Sequence, residues 1–334
     1  MKRSAVYVFI CLLSIFTGPM ESLAAPFYEG KVITIMVGSK PGGSYDRIAR
    51  LVGRHLPRYL AGKPTIIIEN KDGADSMICA NYIYNNAKPD GLTIGAFNQA
   101  MPLNQLCNLP GIRLDVRKFA WLGSPSRTSA LMVVRTNLPY KNINDLIKSK
   151  YTLLVGAQGM ASNSAQIPSM LQAYAGLKIK LVMYPSTSDV TLAIRRNEVD
   201  AQAGSYDTFK AFIDEGLVSP FVRGYITQKA TENLPLNEDL TTDKKGKMAM
   251  RMLSMSDLIG RPYTFPPKTP PALVNTVREA FAKMTADPDL KAEAMRSGAE
   301  IQYTTGQEIE KTIAMLFNQP PDVMAEFFKH VPKY

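Results

Sequence analysis

Two loops rich in glycine and small polar side chains follow predicted strands and precede predicted helices. The first spans residues 38–46 (GSKPGGSYD), and the second spans residues 156–164 (GAQGMASNS). Glycine lets the backbone approach a ligand closely, and the first turn of a helix directs unpaired N–H groups toward it. Both loops therefore predict binding of an anion. The alternative is a plain turn before a capped helix, because Ser44 is a favourable N-cap and Asp46 suits the helix dipole.

The composition of the first loop argues against a nucleotide. The spacing of Gly38 and Gly43 matches a phosphate-binding P-loop, but Ser44 occupies the position that this motif reserves for lysine. That lysine carries the charge that holds the phosphates. We therefore expect no nucleotide cofactor here.

Residues suited to covalent or metal chemistry are scarce. The chain has two histidines, His55 and His330, and neither a GxSxG nor an HExxH motif. We therefore predict that the protein is not an enzyme and that it holds no metal and no cofactor. Cys79 and Cys107 could form a disulfide in an oxidising compartment. The apolar helical pattern around Cys79 favours the other interpretation, a buried free thiol.

The N-terminus has the order of a secretory signal. A short basic start precedes an apolar run over residues 5–16, and small residues at Ser22 and Ala24 then suit a signal peptidase. The run is shorter than the roughly 20 residues that a membrane span needs. We therefore predict a signal peptide over residues 1–24, cleaved after Ala24, and a mature protein in the periplasm.

The net charge of +10 invites a nucleic-acid interpretation, which export argues against. Loss of Lys2, Arg3 and Glu21 with the signal leaves +9. Four arginines fall mostly on one face of the first predicted helix, namely Arg47, Arg50, Arg54 and Arg58. Such a stripe is typical of a solvated helix face. We therefore expect no nucleic-acid partner.

The 334 residues exceed what one core usually serves, so two domains are expected. Strands and helices alternate in two successive units, which predicts two mainly parallel sheets flanked by helices. The predicted strands cover residues 32–37, 65–69, 93–97, 131–134, 152–155, 180–184 and 201–204. The predicted helices cover residues 44–60, 74–86, 143–149, 164–174, 189–198 and 206–215, with more after residue 271. The polar segment 228–250 is predicted to lie at the surface.

An ordered set of short motifs resembles the solute-binding receptors of tripartite tricarboxylate transporters, also called Bug receptors. The set extends over essentially the whole mature chain. Its members are residues 37–46 (VGSKPGGSYD), Ile68-Glu69-Asn70 with Gly73-Ala74, Pro89-Asp90-Gly91, Val199-Asp200-Ala201 before Gly204-Ser205, and residues 266–271 (PPKTPP).

The resemblance implies a two-lobed periplasmic-binding-protein fold of type II, with a hinge between the lobes. Such a receptor captures a small carboxylate and delivers it to large and small integral-membrane transporter subunits, and we expect a monomer. The first lobe would comprise residues 25–126 and 252–334, and the second residues 127–251. The two crossings would lie near residues 124–127 and 252–263. An exported enzyme on the same scaffold, or a receptor for a membrane sensor, remains an alternative.

The resemblance also implies which residues hold the ligand. On one side these are Pro41, Gly42, Gly43, Ser44 and Asp46, and on the other Gly159, Ser162 and Asn163. Asn98, Gly204 and Ser205 would contribute from further strand ends. An ionised Asp46 would repel a carboxylate, so we expect it to orient loop N–H groups or water. The chain departs from the family pattern at Asp72 and Asp75, which make that helix entry less hospitable to a second carboxylate.

Overall fold

The computed structural model describes residues 26–331, except 159, 161, 229 and 230. The predicted signal peptide lies outside these residues. The strands are β1 (Val32–Val37), β2 (Thr65–Asn70), β3 (Thr93–Ala96), β4 (Ala120–Ser124), β5 (Ala130–Arg135), β6 (Leu153–Ala157), β7 (Ile179–Met183), β8 (Ala201–Ser205), β9 (Val218–Arg223), β10 (Tyr263–Phe265) and β11 (Thr304–Thr305). Within the described ranges, no helix combines the length and apolarity that a membrane span requires.

Helices cover both sheets. They are α1 (Ser44–His55), α2 (Met77–Asn85), α3 (Met101–Leu106), α4 (Ile143–Lys148), α5 (Asn163–Ala175), α6 (Thr187–Arg195), α7 (Tyr206–Asp214), α8 (Lys244–Ile259), α9 (Pro271–Ala286), α10 (Pro288–Arg296), α11 (Gly306–Phe317) and α12 (Pro321–His330). Short 3-10 turns occupy Leu56–Tyr59, Val116–Lys118 and Asn237–Leu240.

The strands form two separate sheets, each of which is the centre of one lobe. The first sheet has the order β11-β4-β10-β3-β1-β2, and the second has the order β7-β6-β8-β5-β9. We call them, with their flanking helices, the first and second lobe. This arrangement confirms the predicted α/β fold with two lobes.

Most strands of each sheet run in one direction, but each sheet contains strands that run against the rest. In the first sheet β10 pairs antiparallel with both β3 and β4. In the second, β5 pairs antiparallel with both β8 and β9. β5 and β10 are each the first strand after a crossing between the lobes. Each begins at the edge of its sheet where the neighbouring parallel strands end, so it runs antiparallel to them.

The two crossings lie side by side. The first joins β4 to β5 through residues 125–129, and the second joins α8 to β10 through residues 260–262. The Arg261 N–H donates to the Ser126 carbonyl over 2.9 Å, and Ser124 Oγ donates to the same oxygen over 2.9 Å. The second crossing is shorter than predicted, because residues 252–259 belong to α8.

The segment predicted to lie at the surface includes the start of a helix with a buried face. Ala249 and Met250, near the end of this segment, are buried in α8, and Leu253 continues the same apolar face. The helix packs against α5, α11 and α12. One apolar cluster includes residues of β4, β5 and α8, so the two lobes share a continuous core. The polar composition of residues 228–250 concealed the apolar face that begins inside it.

The last helix is fastened to the second lobe. Tyr174 Oη on α5 donates to Glu326 Oε1 over 2.7 Å, and Lys245 on α8 lies 3.3 Å from the Asp322 carboxylate. Phe327 is fully buried in the same contact region. The end of the chain therefore makes a further connection beside the two crossings.

Two predicted helices have different bounds in the structure. The second begins at Met77 rather than near Ala74, because Ala74, Asp75 and Ser76 have φ values of 45°, 51° and 73°. This left-handed backbone cannot belong to an α-helix. The first helix ends at His55 and gives way to a 3-10 turn at Pro57.

The arginine-bearing face of α1 is engaged by carboxylates. Arg54 pairs with Glu293 at 2.6 Å, and Arg58, in the 3-10 turn after α1, lies 3.4 Å from Asp289. Both carboxylates belong to α10. His55 is buried and its Nε2 lies 2.6 Å from Glu293. These contacts tie α1 to α10.

The two cysteines of the described residues, Cys79 and Cys107, are both buried, and neither forms a disulfide. Burial raises the pKa of the Cys79 thiol to about 12. The free-thiol interpretation is confirmed, and the alternative disulfide is not formed.

Candidate ligand-binding cleft

A polar cleft of about 230 Å³ lies between the lobes. Most of its lining side chains are polar and uncharged. From the first lobe the lining residues are Ser44, Tyr45, Asp75, Asn98, Gln99 and Ala100. From the second they are Thr128, Gln158, Ser162, Asn163, Ser164, Thr187, Gln202, Ala203, Gly204, Ser205 and Thr208, and Arg261 comes from the second crossing.

Several helices begin at the cleft. Ser44 is the first residue of α1, Asn163 opens α5, Thr187 opens α6, and Ser205 directly precedes α7. Among the described residues, no N-cap side chain forms a capping hydrogen bond to α1, α5 or α7. Each helix N-terminus offers backbone N–H groups and the positive end of the helix dipole. Both lobes therefore direct positive potential into one small cavity, which suits an anionic ligand.

Asp46 lies beneath the first loop and does not line the cavity. Its carboxylate accepts hydrogen bonds from Gly42 N–H (2.8 Å), Arg50 Nε (2.9 Å) and Asn70 Nδ2 (2.9 Å). Burial opposes ionisation, but these hydrogen bonds outweigh it and lower the pKa of Asp46. The carboxylate therefore stays charged and fixes the orientation of the Gly42 N–H.

The structure brings together six of the residues predicted to hold the ligand. These are Ser44, Asn98, Ser162, Asn163, Gly204 and Ser205. Pro41, Gly42 and Gly43 lie in the loop before α1 but outside the cavity wall, and Pro41 and Gly42 are exposed. Gly159 lies outside the described residues.

Arg261 is a cleft residue that no sequence pattern selected. It is buried, its Nη2 lies 2.5 Å from Asp207 Oδ2, and its Nη1 donates to Ser126 Oγ over 2.9 Å. The charge of the guanidinium is therefore matched by a carboxylate on α7. In the sequence, an arginine beside a glycine in a connecting segment is typical of an exposed loop. The ion pair between Arg261 and Asp207 is therefore visible only in the folded chain.

Tyr45 and Gln202 were also missed. The Tyr45 oxygen accepts the Gln99 N–H over 3.1 Å, which leaves its own proton available to a ligand. Burial raises the pKa of Tyr45 to about 12, so the phenol stays protonated. Gln202 is 1% exposed and its Oε1 has no hydrogen-bond partner in the described structure. Polar alternation along β8 is the signal that could have identified Gln202.

Asp75 brings a carboxylate to the wall of the cleft. Its Oδ1 accepts a hydrogen bond from Asn98 Nδ2 over 2.7 Å, and Asn98 Oδ1 in turn accepts the Ala100 N–H over 2.9 Å. The side chain reaches the solvent of the cleft, yet protein surrounds it on most sides. This desolvation raises the pKa of Asp75, and the Asn98 bond opposes the rise only in part.

Among the described residues, no three His, Cys, Asp or Glu side chains are arranged so that they could hold a metal ion. The profile of the family described as "Tripartite tricarboxylate transporter family receptor" matches residues 48–326. The chain belongs to this family.

Individual relatives of this family member are distant. An Agrobacterium vitis protein named "UPF0065 protein in the TAR-I ttuE-ttuC' intergenic region" is 28% identical over 59% of the chain. The match spans 62% of that protein's length, so the chain spans about three fifths of this curated relative.

Solved structures of solute-binding proteins share the fold. A TctC solute-binding protein from Polaromonas is 18% identical, with a TM-score of 0.69 over 92% of this chain and 100% of its own. The R. palustris protein Rpa4515, solved with adipate, is 17% identical, with a TM-score of 0.68 over 90% of this chain and 97% of its own. At such low identity these two structures support the two-lobed fold alone.

Proposed function

We propose that the protein is a periplasmic receptor that binds a small carboxylate between its lobes and delivers it to a tripartite membrane transporter. The observation that carries this proposal is the convergence of helix N-termini from both lobes on one polar cavity. An ionised carboxylate can only accept hydrogen bonds. These helix ends provide backbone N–H donors and the positive end of the helix dipole, so they suit such a ligand.

The cleft is sized for a small ligand. Its volume of about 230 Å³ lies below the roughly 300–1,000 Å³ typical of pockets for drug-sized molecules. Rpa4515, which shares the fold, was solved with adipate, a short dicarboxylate, and this supports a ligand of similar size.

Contact with both lobes would favour the closed state of this receptor. A ligand shifts a conformational equilibrium only through its differential affinity for the two states. Ser44 and Asn98 on one side, and Asn163 and Ser205 on the other, belong to different lobes. Closure about the paired crossings would complete the site, as in other hinged binding proteins.

The cellular setting is part of the proposal. The signal sequence over residues 1–24, cleaved after Ala24, would export the chain. The lobes would comprise residues 25–126 with 252–334, and residues 127–251, with the end of α8 and α12 packed across that boundary. The receptor would act as a monomer. Membership of the transporter receptor family supports large and small integral-membrane subunits as partners.

A thermal-shift scan of the mature chain tests the proposal. Residues 25–334 would be melted with mono-, di- and aromatic carboxylates, and binding confirmed by calorimetry. Ligand at 100 times its Kd adds about 2.7 kcal/mol to the free energy of unfolding. A flat response to the whole panel would contradict carboxylate binding. Recovery of the bound compound unchanged supports a receptor, whereas its conversion would support an exported enzyme.

A further inference from the structure

We infer that the ligand carries a positively charged nitrogen in addition to its carboxylate, and that Asp75 binds this nitrogen. The inference rests on the proposed carboxylate receptor and narrows its ligand class to small zwitterions, such as amino-carboxylates. Simple dicarboxylates are the class that it excludes.

Asp75 is held with its carboxylate in the cleft wall. Its left-handed backbone, with φ of 51°, belongs to the run of three such residues before α2. Ser76 anchors this run, because its Oγ donates to the Gly38 carbonyl over 2.7 Å. Within the described residues, the side chain of Asp75 has one hydrogen-bond donor, Asn98 Nδ2. A carboxylate has about four acceptor positions, so several remain for a ligand.

No cation of the described cleft wall neutralises Asp75. Arg261 is the one cationic side chain among the described lining residues, and Asp207 already pairs with it at 2.5 Å. The remaining lining side chains are neutral, and the phenol of Tyr45 stays protonated. An ionised Asp75 would therefore repel a second ligand carboxylate without compensation. A ligand ammonium would instead form an ion pair with it and favour its ionised form against the desolvation.

A second unpaired acceptor belongs to Gln202, a residue that lines the same cavity from the other lobe. Gln202 is 1% exposed, and its Oε1 has no hydrogen-bond partner in the described structure. Buried polar atoms normally have hydrogen-bond partners, so we expect a ligand donor to bind this oxygen as well. An ammonium has three N–H donors and no acceptor, which matches both groups. A carboxylate matches neither.

Matched ligands separate this inference from the proposed function. Calorimetry on residues 25–334 would compare 4-aminobutanoate, butanedioate and butanoate, and then 6-aminohexanoate, hexanedioate and hexanoate. Each set keeps one carboxylate and the chain length, and changes only the far end. We expect at least one amino-carboxylate to bind about tenfold or more tightly than both of its partners. Tighter binding of the dicarboxylate in both sets would overturn the inference, while no binding by any compound would contradict the proposed function itself.

Variants at Asp75 and Asp72 provide the matched test. Asp75→Asn keeps the side-chain shape, and asparagine tolerates a left-handed backbone. We expect it to lose the preference for the amino-carboxylate by about tenfold or more and to bind the dicarboxylate better. Asp72→Asn removes the same charge from an exposed side chain outside the cleft, and we expect less than about a twofold change. Equal effects of the two variants would overturn the role of Asp75. The wild-type comparison decides the ligand class even if Asp75→Asn does not fold.

Discussion

Arg261 and Asp207 form a buried ion pair, with Nη2 2.5 Å from Oδ2, that joins the second crossing to α7. Arg261 is also bonded to Ser126 in the first crossing through both its main chain and its side chain. One arginine therefore connects the hinge segments to the second lobe at the wall of the cleft. Its contribution is structural, because its charge is matched within the protein.

Removal of this guanidinium should destabilise the fold. Arg261→Met leaves Asp207 without its partner, and breaking a buried pair typically costs about 3–5 kcal/mol. Arg195→Met is the matched control, because Arg195 and Glu215 are exposed and such pairs contribute about 0–1 kcal/mol. Urea unfolding of both variants measures the difference. Equal losses would show that the Arg261–Asp207 pair is no stronger than a surface pair.

Gly260 should tolerate no side chain. Its φ is 65°, and an added Cβ would lie 2.5 Å from the Ser126 carbonyl oxygen. Gly176 has a similar φ of 73° with nothing within 4 Å of an added Cβ. Gly176→Ala therefore reports backbone strain alone, about 1–2 kcal/mol, and we expect Gly260→Ala to cost clearly more. Equal losses in the free energy of unfolding for Gly260→Ala and Gly176→Ala, measured in urea, would contradict this. They would mean that the two crossings can move apart around the added methyl group at no cost in stability.

The family resemblance led to Ser44, Ser205 and Asn98 as candidate ligand-binding residues, and all three line the cavity. Each stands at a strand end or a helix start, positions that the pattern of apolar runs and glycines also indicates. Arg261 and Gln202 acquire their roles from partners far along the chain, which no local pattern records. The strand β10 was also not predicted. It has only three residues, and its strand conformation depends on hydrogen bonds to β3 on one side and β4 on the other.

The start of α2 shows a different limit. Apolar spacing extends the predicted helix back to Ala74, but the left-handed backbone of residues 74–76 displaces its start to Met77. None of these three residues is glycine, so their own types do not indicate a left-handed backbone. Its position depends on the bond from Ser76 to the Gly38 carbonyl, which only the folded sheet supplies.

Asp257 should make stability depend on pH. It is fully buried on α8, and burial raises its pKa to about 7, although the Ala130 and Tyr225 N–H groups oppose this. The folded state therefore binds a proton more tightly than the unfolded state. The free energy of unfolding should fall as pH rises from about 4 to about 7, and this loss should be complete above that range.

Asp257→Asn isolates this contribution. The variant cannot ionise at this position, so its stability relative to wild type should increase as pH rises from about 4 to about 8. Urea unfolding of both proteins at several pH values measures the difference in their free energies of unfolding. The lowered pKa of Asp46 has the opposite effect on stability, but it is present in both proteins and so cancels in this difference. A constant difference across this range would show that Asp257 does not change its proton binding on folding.

The packing of α12 on α5 and α8 should contribute to global stability. Phe327 is fully buried there, and truncation of a buried phenylalanine typically costs about 3–5 kcal/mol. Met295→Ala is a suitable control, because Met295 is 77% exposed and we expect a change within about 0.5 kcal/mol. Tyr174→Phe removes the hydrogen bond to Glu326 and should lower the free energy of unfolding by about 1 kcal/mol.

Urea unfolding of Phe327→Ala shows whether α12 unfolds together with the lobes. If α12 belongs to the shared core, Phe327→Ala lowers the midpoint of one cooperative transition. An unchanged main transition preceded by a separate early one would instead mean that α12 detaches independently of the lobes.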